Sequence, residues 1–530
     1  MIKRKDIAPI LEAIPAARQQ DARHYGVHPY FTRRPANVVR AYIERYSMEG
    51  DTVLDPFGGT GVTAIESLLL GRKAIHNDLN PFANFIARCI ADTTLPSTAP
   101  LREGFDRVLR RCAQPLHKIE ESEEVARLWL KRLPLPENIP LPRNSDARFF
   151  FDMFTVRQLA GLALLKEALA SETAGIVHDL LLLAWSASVA KLNKTFLSAK
   201  GRAATRGGSS IFSIYRYKLA AQCVELPIWE TFRGRYLNVL AAKEEVLQAQ
   251  RFLAQRTKGP RILDSRRDFV VMAQDAACLH ETISDESVDY VFTDPPYGAF
   301  ISYLDLSILW NHWLGFPVTQ EARSHETIVG GECKLSEEHY KESLATSIRT
   351  CFRLLRPDRW CSIVFQHWDT SYFSAILDTA AECGAELKAA ITQTGDVIWS
   401  MHKKKNSASV LAGEMIITFY KPAKPRKKVM ARPTGPRDQP AAVLSDILDA
   451  CLKNGNHTIT TEALFNRVII ELWQRRALHC LNMDRQEFLA AIHGRGWRYD
   501  SRMHLWSTGQ GPDDTDQQPL FAVRDLESSS

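Results

Sequence analysis

Apolar residues along this chain fall into short unbroken runs that alternate with longer stretches at helical spacing, the pattern of strands interleaved with helices. The runs Thr52-Val53-Leu54, Lys73-Ala74-Ile75-His76, Phe269-Val270-Val271-Met272-Ala273 and Val288-Asp289-Tyr290-Val291-Phe292-Thr293 are short and rich in β-branched or aromatic residues, and they read as buried strands. Leu354 to Phe365 and Glu414 to Tyr420 read as the closing strands of the same sheet. Helical spacing runs from Ala64 to Leu70, with Gly71 as a stop, and again from Phe154 to Leu165 and from Ile176 to Val189. The stretch from 64 to 293 is too long for the strands and helices of one sheet. A mainly helical insertion is therefore expected over 146–260, between sheet-forming parts at 1–145 and 261–422.

Past the last strand the composition changes. Lys421 to Arg437 is basic and proline-rich with no acid, which marks a linker over about 423–440. Helices are expected at Ala441–Leu452, Thr461–Ala477 and Asp484–His493, and a turn-centred hairpin from Gly494 to Trp506 follows them. Together they make a small winged-helix-like module over 441–508, suited either to DNA contact or to protein association. The polar residues 509–530 are expected to be a disordered tail.

Composition narrows the classes without choosing among them. At 530 residues, 45% hydrophobic and 24% charged, the chain has room for two or three globular domains. Its net charge of +6 permits a polyanionic partner. No run is long enough for a membrane span, and the first residues lack the apolar core of a signal peptide, so the expectation is cytoplasmic and without a membrane partner. The ten cysteines form no CxxC pair, which argues against a disulfide frame or zinc ribbon.

The chemistry concentrates at strand ends. Asp294-Pro295-Pro296-Tyr297 follows the buried run 288–293, where ligands of open α/β sheets bind. The prolines fix φ and remove donors, leaving the Asp294 carboxylate and the Pro295 carbonyl to accept from an amino group while Tyr297 offers a stacking face. A proline-stiffened strand cap is the plainer alternative. Upstream, Asp55-Pro56-Phe57-Gly58-Gly59-Thr60-Gly61 reads as a glycine-rich strand-to-helix turn that lets a ligand approach the backbone. Asp78, in Asn77-Asp78-Leu79-Asn80-Pro81, lies about twenty residues farther on, the spacing at which a carboxylate takes ribose hydroxyls.

Asp294-Pro295-Pro296-Tyr297 matches the DPPY motif of the DNA amino-methyltransferases, and the glycine-rich turn and Asn77-Asp78-Leu79-Asn80-Pro81 resemble the FxGxG motif and the acidic motif of that family. His28-Pro29-Tyr30-Phe31-Thr32-Arg33-Arg34-Pro35 resembles its motif X. The likeness runs over roughly residues 20–422, and the segment after DPPY resembles that of large prokaryotic adenine-specific DNA methylases. It implies an α/β fold: a Rossmann-like class I methyltransferase sheet carrying the helical insertion and the C-terminal module. It implies S-adenosyl-L-methionine as cofactor, held by Asp55, Pro56, Phe57, Gly58, Gly59, Gly61 and Asp78, with Thr32 and Arg33 near its methionine end and Asp275 beside its adenine. Packing of an N-terminal helix is the alternative role for the motif X side chains. The catalytic set implied is Asp294, Pro295, Pro296 and Tyr297, without a metal. The motif order is that of the α group, whereas the wording of motifs X and I is nearer the β group, which leaves the subgroup open.

The same resemblance makes the substrate the exocyclic amine of adenine in DNA, flipped out of the duplex. An acidic first residue of the motif is commoner in adenine enzymes, and serine in cytosine-N4 enzymes. Cytosine-N4 methylation and RNA or tRNA guanine-N2 methylation are the alternatives, and a catalytically silent DNA-binding regulator is a third class. The implied setting leaves room for associated restriction or phage-defence proteins. Lys191, Lys194, Lys200, Arg202 and Arg206 lie in an acid-free segment ending near Tyr215 and Tyr217, which makes this stretch the candidate nucleic-acid surface. A solvated loop is its plainer reading.

Overall fold

The computed structural model describes residues 4–17, 22–198, 207–256, 268–299, 301–393, 414–424, 445–450, 458–478, 485–494, 496–500 and 505–508. They divide into two compact units, Met1–Gly435 and Pro436–Ser530.

The first unit is a mixed α/β structure around a seven-stranded, mostly parallel sheet, an arrangement compatible with a methyltransferase fold. In chain order its strands are β1 (Thr52–Asp55), β2 (Lys73–Asn77), a separate hairpin of β3 (Phe196–Ser198) and β4 (Gly207–Ser209), then β5 (Phe269–Met272), β6 (Val288–Thr293), β7 (Leu355–Phe365), β8 (Glu386–Gln393) and β9 (Glu414–Lys421). The sheet order is β5-β2-β1-β6-β7-β9-β8. Only β9 runs against its neighbours β7 and β8. The chain leaves β1 toward one edge through β2 and β5, then returns to β6 and proceeds toward the other edge. A cleft therefore opens between the ends of β1 and β6, the position at which α/β sheets bind ligands.

Strand β6 lies at the centre of this arrangement, and every one of its residues is buried. That explains why it is mostly apolar, because helices cover both faces of a parallel sheet; its one charged residue, Asp289, is paired with Arg356 and Arg359. On one face, α1 (Ala36–Tyr46) packs Val39, Tyr42, Ile43 and Tyr46 against Tyr290, Phe292 and Trp360. Helix α2 (Val62–Leu69) packs beside α1, and α3 (Pro81–Ala91) beside α2, with a core that continues into the helical layer. The opposite face carries the helices Glu337–Leu354 and Thr370–Glu382, which set Phe352 against Phe419 and Phe373 against Phe365. The N-terminus of α3 shows why the local sequence folds so: Asn80 caps it by accepting from the Phe82 amide, and Pro81 takes the first helical position.

The helical layer comprises α4 (Ala99–Glu121), α5 (Glu123–Leu130), α6 (Val156–Ala170), α7 (Ile176–Val189), the single turn α8 (Ser210–Ser213) and the long α9 (Ile228–Arg256). It begins at Ala99, well before the expected start at 146, and α4 packs on both α6 and α7. The layer also supports the segment after β6. That segment forms two short helices, Tyr303–Leu306 and Ile308–Leu314. Trp310 of the second donates its indole N–H to the Ser186 carbonyl of α7 at 3.0 Å, and the Tyr217 hydroxyl donates to the Leu306 carbonyl at 2.7 Å.

The second unit contains a helix over 445–450, the helices Thr461–Gln474 and Arg485–His493, and an antiparallel three-stranded sheet. Its strands are β10 (Thr458–Ile459), β11 (Trp497–Asp500) and β12 (Leu505–Thr508), in the order β10-β12-β11. Phe465, Val468, Ile469, Phe488, Ile492 and Trp506 are buried. The tail over 509–530 lies outside the described residues, as does most of the linker. No described helix is long and apolar enough to cross a membrane.

Candidate active site

The cleft at the ends of β1, β2 and β6 opens into a cavity. Thr32, Arg33, Asp55, Pro56, Phe57, Gly58, Gly59, Asp78, Asp275 and Asp294 all line it. A smaller cavity is walled by Thr32, Arg34, Asp294, Pro295, Tyr297, Ile301 and Tyr303. The two share Thr32, Arg34, Asp294 and Tyr303, so the residues expected to hold a cofactor adjoin those expected to hold a base.

The glycine turn brings its backbone to the cavity wall for steric reasons. A Cβ on Gly58 would stand 2.1 Å from His76 Nδ1, and Gly59 has a φ of +52°. The Gly59 amide donates to Asp78 Oδ2, and the Asn80 amide to Asp78 Oδ1, both at 2.8 Å. These bonds aim the Asp78 carboxylate along the end of β2. Burial pushes its carboxyl up to about 6 against their opposing effect. Asp275 caps a short 3₁₀ turn by accepting from the Ala277 amide at 2.9 Å.

Three residues of the expected cofactor set have a different first task. Asp55 accepts from the hydroxyls of Thr63 at 2.7 Å and Thr293 at 3.0 Å and from the Phe57 amide at 3.1 Å, which ties β1, α2 and β6 together. Burial raises its carboxyl to about 7. Gly61 does not line the cavity: it caps α2 with a φ of +84°, and a Cβ there would meet that of Ala87 at 2.7 Å. Arg33 donates to the Tyr25 carbonyl and lies over the Tyr25 ring, 4.9 Å from its centroid.

In the DPPY segment, the Tyr297 hydroxyl donates to Asp294 Oδ1 at 2.7 Å, while its ring meets Phe365 edge-on. The Pro296 carbonyl accepts from the Tyr340 hydroxyl at 2.6 Å. Arg34, absent from the expected set, donates Nη2 to Asp294 Oδ1 at 3.1 Å and to the Tyr297 hydroxyl at 2.7 Å, and its Nε to Asp294 Oδ2. Its third nitrogen pairs with Glu414, at the start of β9. A second unexpected residue, Glu326, lies in the wall of the large cavity and accepts from the Leu304 amide at 3.1 Å. Burial raises its carboxyl to about 8. The doublet Arg33-Arg34 before Pro35 marked a basic position in the sequence; Glu326 follows no periodic pattern and had no signal.

The basic segment is only partly visible. Lys194 donates its ammonium to the Asp152 carbonyl at 3.0 Å, and Lys191 lies 5.9 Å from the Phe196 ring centroid. Lys200, Arg202 and Arg206 lie outside the described residues, between the two strands of the β3–β4 hairpin. Beyond that hairpin, Phe212 packs on Phe31 and Trp310, close to the wall of the small cavity.

Comparison with known proteins bears on the segment that carries motif X, the glycine turn and Asp78. Residues 10–87 match a family model described as a DNA methylase. The Type II methyltransferase M.MjaII of Methanocaldococcus jannaschii is 33% identical over 63 residues, which is 12% of this chain and 12% of that protein. The matching family includes both N6 and N4 methylases. Over these segments, a small part of its length, the chain is similar to the DNA amino-methyltransferases.

Proposed function

We propose that this protein transfers the methyl group of S-adenosyl-L-methionine to the exocyclic amine of adenine in DNA. The observation that carries the reading is the shared wall between the two cavities. Asp294 borders both, so an amine held by its carboxylate in the small cavity would face a methyl donor in the large one.

The large cavity has the donor set for this cofactor. Asp78 would take the ribose hydroxyls, Asp275 would lie beside the adenine, and the turn from Pro56 to Gly59 would run against the ligand with no side chain between. Asp55, Asp78, Asp275, Asp294 and Glu326 line the cavity against Arg33, Arg34 and His325. A sulfonium cation is the kind of ligand that a lining with more acidic than basic groups favours. The cofactor supplies an electrophilic methyl group.

The protein's own contribution is positioning. A paired base cannot reach this cavity, so the target nucleotide is flipped. The Asp294 carboxylate and the Pro295 carbonyl accept from its amino group and aim the nitrogen lone pair at the donor, while Tyr297 holds the ring. Aligning two reactants in this way is worth up to roughly 7–11 kcal/mol in favourable systems. The new ammonium then loses its proton, for which the Asp294 carboxylate is the nearest acceptor. The second unit, with three helices and a three-stranded antiparallel sheet, fits a winged-helix module and would add contact to DNA or to a partner protein.

Tritium transfer from the labelled cofactor into matched DNA, RNA and protein tests the substrate class, and mass analysis of the nucleosides identifies the base. N6-methyladenine in DNA is the expected product. N4-methylcytosine would reassign the base, and label in RNA alone would reassign the substrate.

A further inference from the structure

We infer that Arg34 is a positioning residue that fixes the orientation of the base-facing pair Asp294 and Tyr297, with Glu414 holding it from behind; the inference rests on the role of Asp294 proposed above. Arg34 has neighbours on three elements. Its Nε and Nη2 span both oxygens of Asp294, Nη2 also reaches the Tyr297 hydroxyl, and the third nitrogen pairs with Glu414 of β9. The side chains of Arg34, Asp294 and Glu414 are only 13%, 20% and 18% exposed.

The geometry requires a guanidinium. A planar fork fits both oxygens of a carboxylate and still has a nitrogen to spare, whereas a lysine ammonium is a point charge that cannot bridge Asp294 to Glu414 in the same plane. The contacts also restrict rotation of the Asp294 carboxyl and the Tyr297 ring. Tyr297 and Arg34 already use both lone-pair positions of Oδ1, while Oδ2 holds one Arg34 contact and keeps one position for a substrate N–H. Arg34 thereby selects which oxygen meets the base. It also offsets one of the two carboxylates gathered there, so the trio keeps a net negative charge beside the amine as that amine becomes cationic.

The test uses the full chain, tritiated cofactor and unmethylated bacterial genomic DNA, with cofactor affinity read separately by calorimetry. Arg34→Met is expected to lower kcat by about 100-fold, the scale of a small misalignment of reacting groups, while KM for DNA and the cofactor Kd change little. Arg34→Lys should recover only a small part. Guanidinium ion added to Arg34→Ala should restore turnover, and methylammonium should not. Near-normal kcat in folded Arg34→Met, or equal rescue by the two ions, would overturn the inference, because bulk or charge alone would then suffice. Should Arg34→Met fail to fold, Glu414→Gln tests the same chain of contacts: reduced kcat at unchanged cofactor Kd supports it, and unchanged kcat overturns it. A wild-type protein that methylates no nucleic acid overturns the functional reading instead.

Discussion

The Asp55 carboxylate at the end of β1 accepts a hydrogen bond from the Thr293 hydroxyl at the end of β6, 3.0 Å away and 238 positions later in the chain. This bond joins the two strands beside which both cavities lie. Replacing Asp55 with Ala leaves the buried Thr63 and Thr293 hydroxyls without it, and stability should fall by about 2–4 kcal/mol. Asp55→Asn should recover part of that loss. Chemical denaturation of the three proteins reads the difference, and a wild-type midpoint for Asp55→Ala would remove the join from the account.

Asp78 governs the proposed cofactor site. Asp78→Asn should weaken S-adenosylmethionine by about 10- to 100-fold through loss of a charged acceptor. Because burial places its carboxyl near 6, wild-type affinity should also decline as the pH is lowered through that value. Calorimetry between pH 5 and pH 8, values chosen to bracket the roughly neutral range, follows both effects. A Kd indifferent to the mutation would dissociate Asp78 from the ligand.

The Tyr297 hydroxyl bridges Asp294 and Arg34, so its loss should matter separately from its ring. Tyr297→Phe keeps the stacking face and should reduce kcat, whereas Tyr297→Ala also removes a stacking surface worth roughly 1–3 kcal/mol. Asp294→Ala should abolish transfer with cofactor binding retained. Turnover close to wild type in folded Asp294→Ala is the outcome this assignment does not survive.

His24 supplies a pH-dependent link within the first unit. Its imidazole bonds to Glu66 of α2 at 2.9 Å and to Glu245 of α9 at 2.7 Å. Burial on its own lowers the ring's pKa, but the two carboxylates outweigh it and hold the group up to about 9, above the ordinary 6.5. A raised folded-state value means the contribution is complete below 6.5 and is lost as the pH rises through 9. Wild-type stability should therefore fall across that interval, and His24→Gln should lack this component. Denaturation midpoints from pH 6 to pH 10, a span of about four units around the transition, decide it.

Replacing Lys191, Lys194, Lys200, Arg202 and Arg206 together should weaken DNA binding and flatten its dependence on salt, since fewer counterions are released. Lys194 already donates to a backbone carbonyl and burial lowers the Lys191 ammonium's pKa, so replacing only the other three should produce most of the change. An identical salt slope in the folded quintuple variant would return the segment to a solvated loop.

Strand β6 was legible to the residue because both faces of a central parallel strand are buried, which leaves a short run rich in β-branched and aromatic residues. The glycine turn and Asp78 were legible because their chemistry is local: a turn, a helix cap and a fixed spacing. Strand β8 was not foreseen, since Glu386–Gln393 is an edge strand with mixed polarity and only Ala389 buried. Arg34 was passed over in favour of its neighbour Arg33, because adjacent side chains diverge and only tertiary packing decides which one meets Asp294. Glu326 enters the cavity from a loop after the short helices, a placement that no sequence period encodes.

The helical layer lies between β2 and β5 in the chain, while the cleft forms between β1 and β6. Synthesis therefore produces the glycine turn and Asp78 long before Asp294, and a chain stopped before Val288 lacks the strand that carries the base-facing carboxylate. Folding of the helices brings the ends of that long connection together, reducing the loop-closure cost of docking β6 beside β1. Because Asp294 walls both proposed pockets, neither is complete until β6 has docked, and a truncated product has no means of modifying a nucleic acid.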